Sequence, residues 1–163
     1  FRFSICFGIE DTFYTKKQIR QRLNIPVLGL WYQLDNHHDG EEELQTSLAV
    51  QSVMNQDVIF ADIIKRNYAE QFYKQYTSIF SSKENGSLQT ISYPIIKQEE
   101  YDKLENANVI LVIPFGVPCA NQAEDIVCEL QRRNCHIAGA VLTNCNYKWV
   151  KAYYNKFSTV RGK

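Results

Sequence analysis

The stretch that most constrains this chain is residues 108–144, where two apolar runs flank an amphipathic segment. The first run, residues 109–113, is closed by a proline and a glycine, a pattern typical of a strand buried on both faces. The second run, residues 137–142, is again apolar and partly β-branched. Between the runs, one helical stripe is apolar: Ala123, Ile126, Val127 and Leu130. Strand, helix and strand with short loops predict a right-handed βαβ crossover, and therefore a parallel sheet covered by helices.

The helix in this stretch carries a signal at each end. Asn121 with Glu124 three residues later resembles a capping box, which predicts the first helical turn there. Asn134 suits the C-terminal end. A parallel sheet built on this unit offers a crevice at the carboxyl ends of its strands, which is where ligands usually bind in such folds.

The rest of the chain alternates in the same way. Further strands are predicted at residues 2–8, 26–32, 57–64 and 88–93. Thr15 with Gln18 forms a capping-box pattern for a helix that ends at Asn24, and further helices are predicted at residues 41–53, 68–80 and 98–104. A last helix has this apolar face: Trp149, Val150, Tyr153, Tyr154 and Phe157. Residues 1–163 are thus predicted to form one three-layer α/β domain, with a mostly parallel sheet and helices on both faces.

Composition bounds the function only loosely. Hydrophobic residues make up 45% and charged residues 22%, as in ordinary soluble globular proteins, and the net charge of zero gives no global attraction to nucleic acid. We interpret the basic pairs 16–17, 65–66 and 132–133 as solvated helix faces or ends. The chain starts with Phe1, and its single methionine is Met54. We therefore expect a domain excised from a larger protein, whose remainder could hold a membrane anchor.

The cysteines favour a reducing compartment. There are five, an odd number, and no C-x-x-C pair occurs. Cys6 and Cys128 lie in apolar patterns typical of buried free thiols. Inert core thiols are the favoured interpretation over a catalytic cysteine, because no histidine is patterned to act as its base.

The motifs for nucleotide chemistry are missing. Neither G-x-x-x-x-G-K-[ST] nor G-x-G-x-x-G occurs, and the loop at residues 61–67 has bulky residues where a phosphate-binding turn needs glycine. Within that loop, Asp62, Lys65 and Arg66 remain candidates for a weak ligand-binding groove at the strand ends. Residues 37–39, His-His-Asp, could hold a metal in principle, but without further ligands we interpret them as a solvated loop and expect no metal site.

Two stretches together resemble a known family. Residues 11–31, DTFYTKKQIRQRLNIPVLGLW, resemble the juxtamembrane segment of bacterial polysaccharide chain-length determinant proteins and their fused tyrosine kinases. Residues 106–146 resemble the later part of the kinase domain of the same proteins. The resemblance implies a P-loop-type α/β fold, Rossmann-like in its layers, from which the Walker A loop and the acidic strand ends have been lost. It also places Asn144 where the family has an asparagine near the adenine base. At residues 62–68, where the phosphate loop would lie by order along the chain, it carries over no kinase residue.

The resemblance implies a non-catalytic regulatory or interaction domain of a capsular or exopolysaccharide chain-length determinant, with no cofactor. Its expected partners are proteins of a polysaccharide assembly or export system and further copies of the chain, with no nucleic acid. Its expected location is the cytoplasmic side of a bacterial membrane, reached through a segment outside this chain. Two alternatives remain open: a nucleotide-dependent kinase or transferase with an atypical site, and a Rossmann-like interaction module unrelated to polysaccharides.

Overall fold

The computed structural model describes residues 11–32, 57–64, 66–79, 88–91, 102, 104–105 and 107–161. Its elements, in chain order, are α1 (Lys16–Leu23), β1 (Val27–Tyr32), β2 (Asp57–Asp62), α2 (Tyr68–Ile79), β3 (Leu88–Ile91), β4 (Ala107–Pro114), α3 (Ala120–Arg132), β5 (His136–Cys145) and α4 (Tyr147–Arg161). The strand predicted at residues 2–8, the loop at 37–39 and the helix at 41–53 lie outside the described residues. So does the predicted helix at 98–104, except that residues 102 and 104 are helical.

The described strands form one sheet in the order β1-β5-β4-β2-β3. All four neighbouring pairs are parallel, which confirms the predicted α/β class. β4 pairs directly with β5, as the strand–helix–strand pattern of residues 108–144 predicted. From β2 the chain moves outward to β3, whereas from β4 it moves in the opposite direction to β5. The topological switch point therefore lies between the carboxyl ends of β2 and β4.

Helices cover the sheet on both faces, in three layers. On one face α1, α3 and α4 bury apolar side chains against the sheet: Ile19, Leu23, Ala123, Ile126, Val127, Leu130 and Val150. On the other face α2 contributes Ala69, Phe72 and Tyr76. All eight residues of β4 are buried, as expected for a central strand covered on both sides.

The ends of α1 follow the local signals. The Thr15 hydroxyl accepts a hydrogen bond from the Gln18 backbone N–H at 3.2 Å, and the Gln18 side chain accepts from the Thr15 N–H at 3.1 Å. Both halves of the predicted capping box are present. Asn24 ends the helix in the left-handed conformation with φ of 54°. The predicted capping-box and terminating residues of this helix are thus confirmed.

The predicted capping box of α3 is wrong. The helix begins at Ala120, so Asn121 lies inside its first turn rather than before it. The side chains of Asn121 and Glu124 instead accept hydrogen bonds from the Arg22 guanidinium of α1, at 2.8 and 2.6 Å. The C-terminal prediction is confirmed, because Asn134 has a φ of 59° and its N–H donates to Gln131.

Three other predictions are corrected. β2 ends at Asp62, two residues earlier than the pattern indicated. Cys128 is exposed, because it lies on the side of α3 opposite the buried stripe. Trp149 and Tyr154, predicted on the apolar face of α4, are 38% and 42% exposed, and Val150 of that face is buried.

Candidate functional site

The candidate site is the carboxyl edge of the sheet around the switch point. β2 ends there at Asp62, and β4 ends at Pro114. Each of these strands is followed by a helix, α2 or α3, whose N-terminus lies at the same edge. Exposed backbone N–H groups and the helix dipole make such N-termini sites for anions, phosphate above all. The function of this edge therefore depends on what already lies at each helix N-terminus.

At the start of α2, the position of an anion is taken by the protein's own carboxylate. Asp62 is 1% exposed, and its Oδ1 accepts a hydrogen bond from the Ala69 backbone N–H at 2.6 Å. Its other oxygen, Oδ2, is buried without a hydrogen-bond partner among the described residues. The turn before the helix has no glycine, and Asn67 takes the left-handed conformation with φ of 56°. Asp62 thus serves as a remote cap of α2.

Burial dominates the ionisation of this carboxyl group. Desolvation raises the pKa of Asp62 from 3.8 to about 6, against the opposing effect of hydrogen bonds from the backbone of Ala69 and Tyr68. The Glu70 carboxylate nearby adds a smaller upward shift to that pKa. A carboxyl group with a pKa near 6 suits proton transfer near neutral pH. With 1% of Asp62 exposed, however, a substrate has no access to it.

The N-terminus of α3 is occupied in the same manner by a residue from far away in the chain. The backbone carbonyl of Asp11 accepts hydrogen bonds from the N–H groups of Cys119 and Ala120, at 2.8 and 3.0 Å. The Asp11 carboxylate accepts a third, from the Asn121 N–H at 3.2 Å. Cys119, which precedes the helix, contributes no side-chain cap. The segment before α1 therefore closes the second helix N-terminus beside the switch point.

The N-terminus of α4 has a local cap. The Asn146 side chain accepts a hydrogen bond from the Trp149 N–H at 3.0 Å, and its backbone carbonyl accepts from Val150. Asn144 lies two residues earlier, half-buried near the end of β5, with φ of 57°. Its left-handed backbone makes the turn from the strand toward the helix.

Aromatic rings lie over the ends of β4 and β5. Phe115, directly after β4, meets the rings of Tyr14 and Trp149 edge-on, with centroids 5.3 and 5.5 Å away. Tyr14 also stacks on Trp149 at 5.4 Å. Backbone hydrogen bonds hold the segments that carry these rings together. The Gly116 N–H donates to the Phe13 carbonyl, and the Phe115 N–H donates to the Thr143 carbonyl. Phe115 and Trp149 therefore cover the ends of β4 and β5 at the candidate site.

The four candidate ligand-binding residues are not assembled into one site. Asp62 is a buried helix cap, Lys65 lies outside the described residues, and Arg66 is an exposed turn residue. Asn144 reaches the same edge of the sheet on β5, but β4 runs between β5 and β2, so two strand spacings of about 4.8 Å separate it from Asp62. Sequence reasoning missed Asp11 as a cap because its partners lie far away in the chain, Asn121 being 110 residues later.

The described parts of the chain hold no group of three or more His, Cys, Asp or Glu side chains placed to bind a metal ion. The histidine pair at residues 37–38 lies outside them. None of the described helices combines the length and apolarity needed to cross a bilayer.

Comparison with known proteins adds no family assignment. No protein-family model matches this sequence, and none of the curated proteins is significantly similar to it.

Proposed function

We propose that this chain is a non-catalytic binding domain, derived from a nucleotide-binding α/β fold, that no longer takes a phosphate at its switch point. The observation that carries the proposal is the Asp62 carboxylate at the N-terminus of α2. Its pKa of about 6 leaves it mostly ionised at neutral pH, so it both fills the helix N-terminus and repels a second anion.

The other helix N-termini at this edge support the same conclusion. Asp11 satisfies three N–H groups at the start of α3, and Asn146 caps α4. A nucleotide would have to displace these acceptors and also the rings of Phe115 and Trp149 beyond them. An enzyme that binds phosphate through backbone amides needs those amides free. The arrangement thus favours interaction over catalysis.

The biological setting rests on the resemblance of residues 11–31 and 106–146 to polysaccharide chain-length determinants and their kinases. In that setting, we propose that the domain regulates capsule or exopolysaccharide assembly by binding partner proteins or other copies of itself. The structure gives a physical reason for two residues of the first segment. Asp11 caps α3 and Thr15 caps α1, so this segment joins the two helices on one face of the sheet.

Calorimetry with ATP and ADP, each with magnesium, tests the proposal on the purified domain. We expect no heat of binding while circular dichroism shows an intact fold. Binding of micromolar strength would overturn the proposal and favour an atypical kinase or transferase. Lys65→Ala and Asn144→Ala would then locate the nucleotide.

Removing the internal carboxylate gives a sharper test. Asp62→Ala frees the N–H groups at the start of α2, so inorganic phosphate should raise the melting temperature of this variant more than that of the wild type. Asp125→Ala, which removes an exposed carboxylate from the middle of α3, is the matched control. An equal phosphate effect in all three proteins would mean that Asp62 does not block an anion site.

A further inference from the structure

An exposed aromatic surface lies beside this edge, and the proposed function uses only two of its rings, Phe115 and Trp149, as a cover over the strand ends. Trp149 and Tyr154, on the first half of α4, are the exposed large hydrophobic side chains among the described residues. Trp149 stacks on Tyr153 with centroids 5.2 Å apart and planes 9° apart, and Tyr153 meets Tyr154 edge-on at 5.4 Å. Tyr14, just before α1, stacks on the same indole. We call these residues, with Phe115, the aromatic cluster.

The helix that follows Tyr14, α1, and the helix that carries Trp149, α4, both have charged side chains of one sign. α1 holds four basic residues in the sequence KKQIRQRL, and α4 holds four in YKWVKAYYNKFSTVR. Neither helix contains an acidic residue. The whole chain is neutral, with 18 basic and 18 acidic residues, so these two helices depart from the average, whereas α3 on the same face carries Glu124, Asp125 and Glu129. Arg22 is engaged by Glu124, but Lys17, Arg20, Lys148 and Lys151 are exposed.

Tryptophan and tyrosine beside lysine form the combination that lies at the interface of an anionic bilayer. The rings take up the boundary between headgroups and acyl chains, while the basic side chains contact lipid phosphates. Single-stranded nucleic acid also binds surfaces with basic and aromatic residues, but its bases need open ring faces on which to stack. Trp149 already stacks on two tyrosine rings, which favours the bilayer.

We propose that the aromatic cluster and the basic residues of α1 and α4 form a peripheral docking surface for an anionic lipid bilayer. This proposal goes beyond the proposed function. It shares Phe115 and Trp149 with the cover over the strand ends, but it does not depend on whether the helix N-termini are occupied. The domain would then contact the membrane surface by its own folded part.

Vesicle sedimentation tests this surface. The wild-type domain should bind vesicles of equal phosphatidylcholine and phosphatidylglycerol, bind pure phosphatidylcholine at least tenfold more weakly, and dissociate as salt is raised. Lys148→Gln and Lys151→Gln should each weaken binding about fivefold, as expected for about 1 kcal/mol per basic residue at an anionic surface. Lys74→Gln, which removes an exposed lysine from α2 on the opposite face of the sheet, should leave binding unchanged.

Tryptophan fluorescence gives a second readout, because electrostatic attraction alone would not bring the Trp149 ring into contact with the lipid chains. Brominated lipids should quench Trp149, whereas Trp31, 2% exposed, should be spared. Trp149→Phe keeps a ring in the cluster and should abolish most of the quenching. The proposal is overturned if the domain does not bind vesicles that contain phosphatidylglycerol. It is overturned as well if Lys148→Gln, Lys151→Gln and Lys74→Gln all bind these vesicles with the same affinity. It is also overturned if oligothymidylate binds more tightly than vesicles and loses affinity in the same lysine variants.

Discussion

Replacing Asp62 by asparagine should change how the stability of the domain depends on pH. The amide keeps an oxygen to accept the Ala69 N–H, but it removes a buried ionisable group. In the wild type the folded pKa is about 6, against 3.8 for the unconstrained side chain, so the folded state holds its proton more tightly. Such a group contributes stability that is fully present below about pH 4 and is lost as the pH rises through about 6.

The size of the effect follows from the two pKa values. The rise in the pKa of Asp62 from 3.8 to about 6 corresponds to a change in unfolding free energy of about 3 kcal/mol between a pH well below both values and a pH well above them. Over the accessible range, the unfolding free energy of the wild type minus that of Asp62→Asn should fall by about 2 kcal/mol from about pH 4.5 to about pH 7.5. Taking the difference removes the contribution of every other titrating group that the two proteins share.

Urea unfolding followed by circular dichroism measures this difference, provided that the slope of free energy against urea is the same in both proteins. Asp125→Asn, at an exposed position of α3, controls for the loss of a carboxylate as such. A wild-type minus Asp62→Asn difference that stays constant across this pH range would refute the reasoning. It would mean that the carboxyl group is solvated, and that it does not fill the N-terminus of α2 as a desolvated anion.

Three further predictions concern stability and reactivity. Gly139→Ala should destabilise the domain by about 1–3 kcal/mol in urea unfolding. The new methyl group would lie 2.8 Å from the Pro26 carbonyl oxygen, which accepts a hydrogen bond from the Ala140 N–H of β5. Unchanged stability would contradict that close approach. Thr15→Ala should cost about 1 kcal/mol through loss of the capping box, and Thr15→Ser should restore most of it. A thiol reagent added to the native protein should modify the exposed Cys128 well before Cys119, because burial raises the pKa of the Cys119 thiol to about 12. Peptide mass spectrometry measures the two rates, and equal rates would contradict the buried environment of Cys119.

The stretch at residues 108–144 shows why part of this fold is predictable. Continuous apolar character in β4, the 3.6-residue period in α3 and the second apolar run in β5 each encode burial through neighbours in sequence. Pairing of β4 with β5 then follows from the short connection between them. The capping box at Thr15 was predictable for the same reason, since all of its hydrogen bonds span three or four residues.

The candidate site was less predictable, because its important contacts join distant parts of the chain. Asp62 was predicted as a candidate ligand-binding residue. Its role as a cap depends on how the chain after β2 turns, so that the Ala69 N–H of α2 meets the Asp62 carboxylate. The capping box assigned to Asn121 and Glu124 was wrong because Arg22, about a hundred residues earlier, binds both side chains in the folded protein. The local pattern was present, but a tertiary partner used the same side chains.

By itself, the sequence determined the α/β class, the strand–helix–strand unit and the ends of α1, because periodic burial and short-range hydrogen bonds are properties of neighbouring residues. Only the tertiary structure decided that β1 lies beside β5, that Asp11 closes α3 and that Trp149 stays 38% exposed between two tyrosine rings. Those outcomes depend on which surfaces meet after the chain has folded, and an amphipathic pattern alone cannot specify how much of each face its neighbours cover.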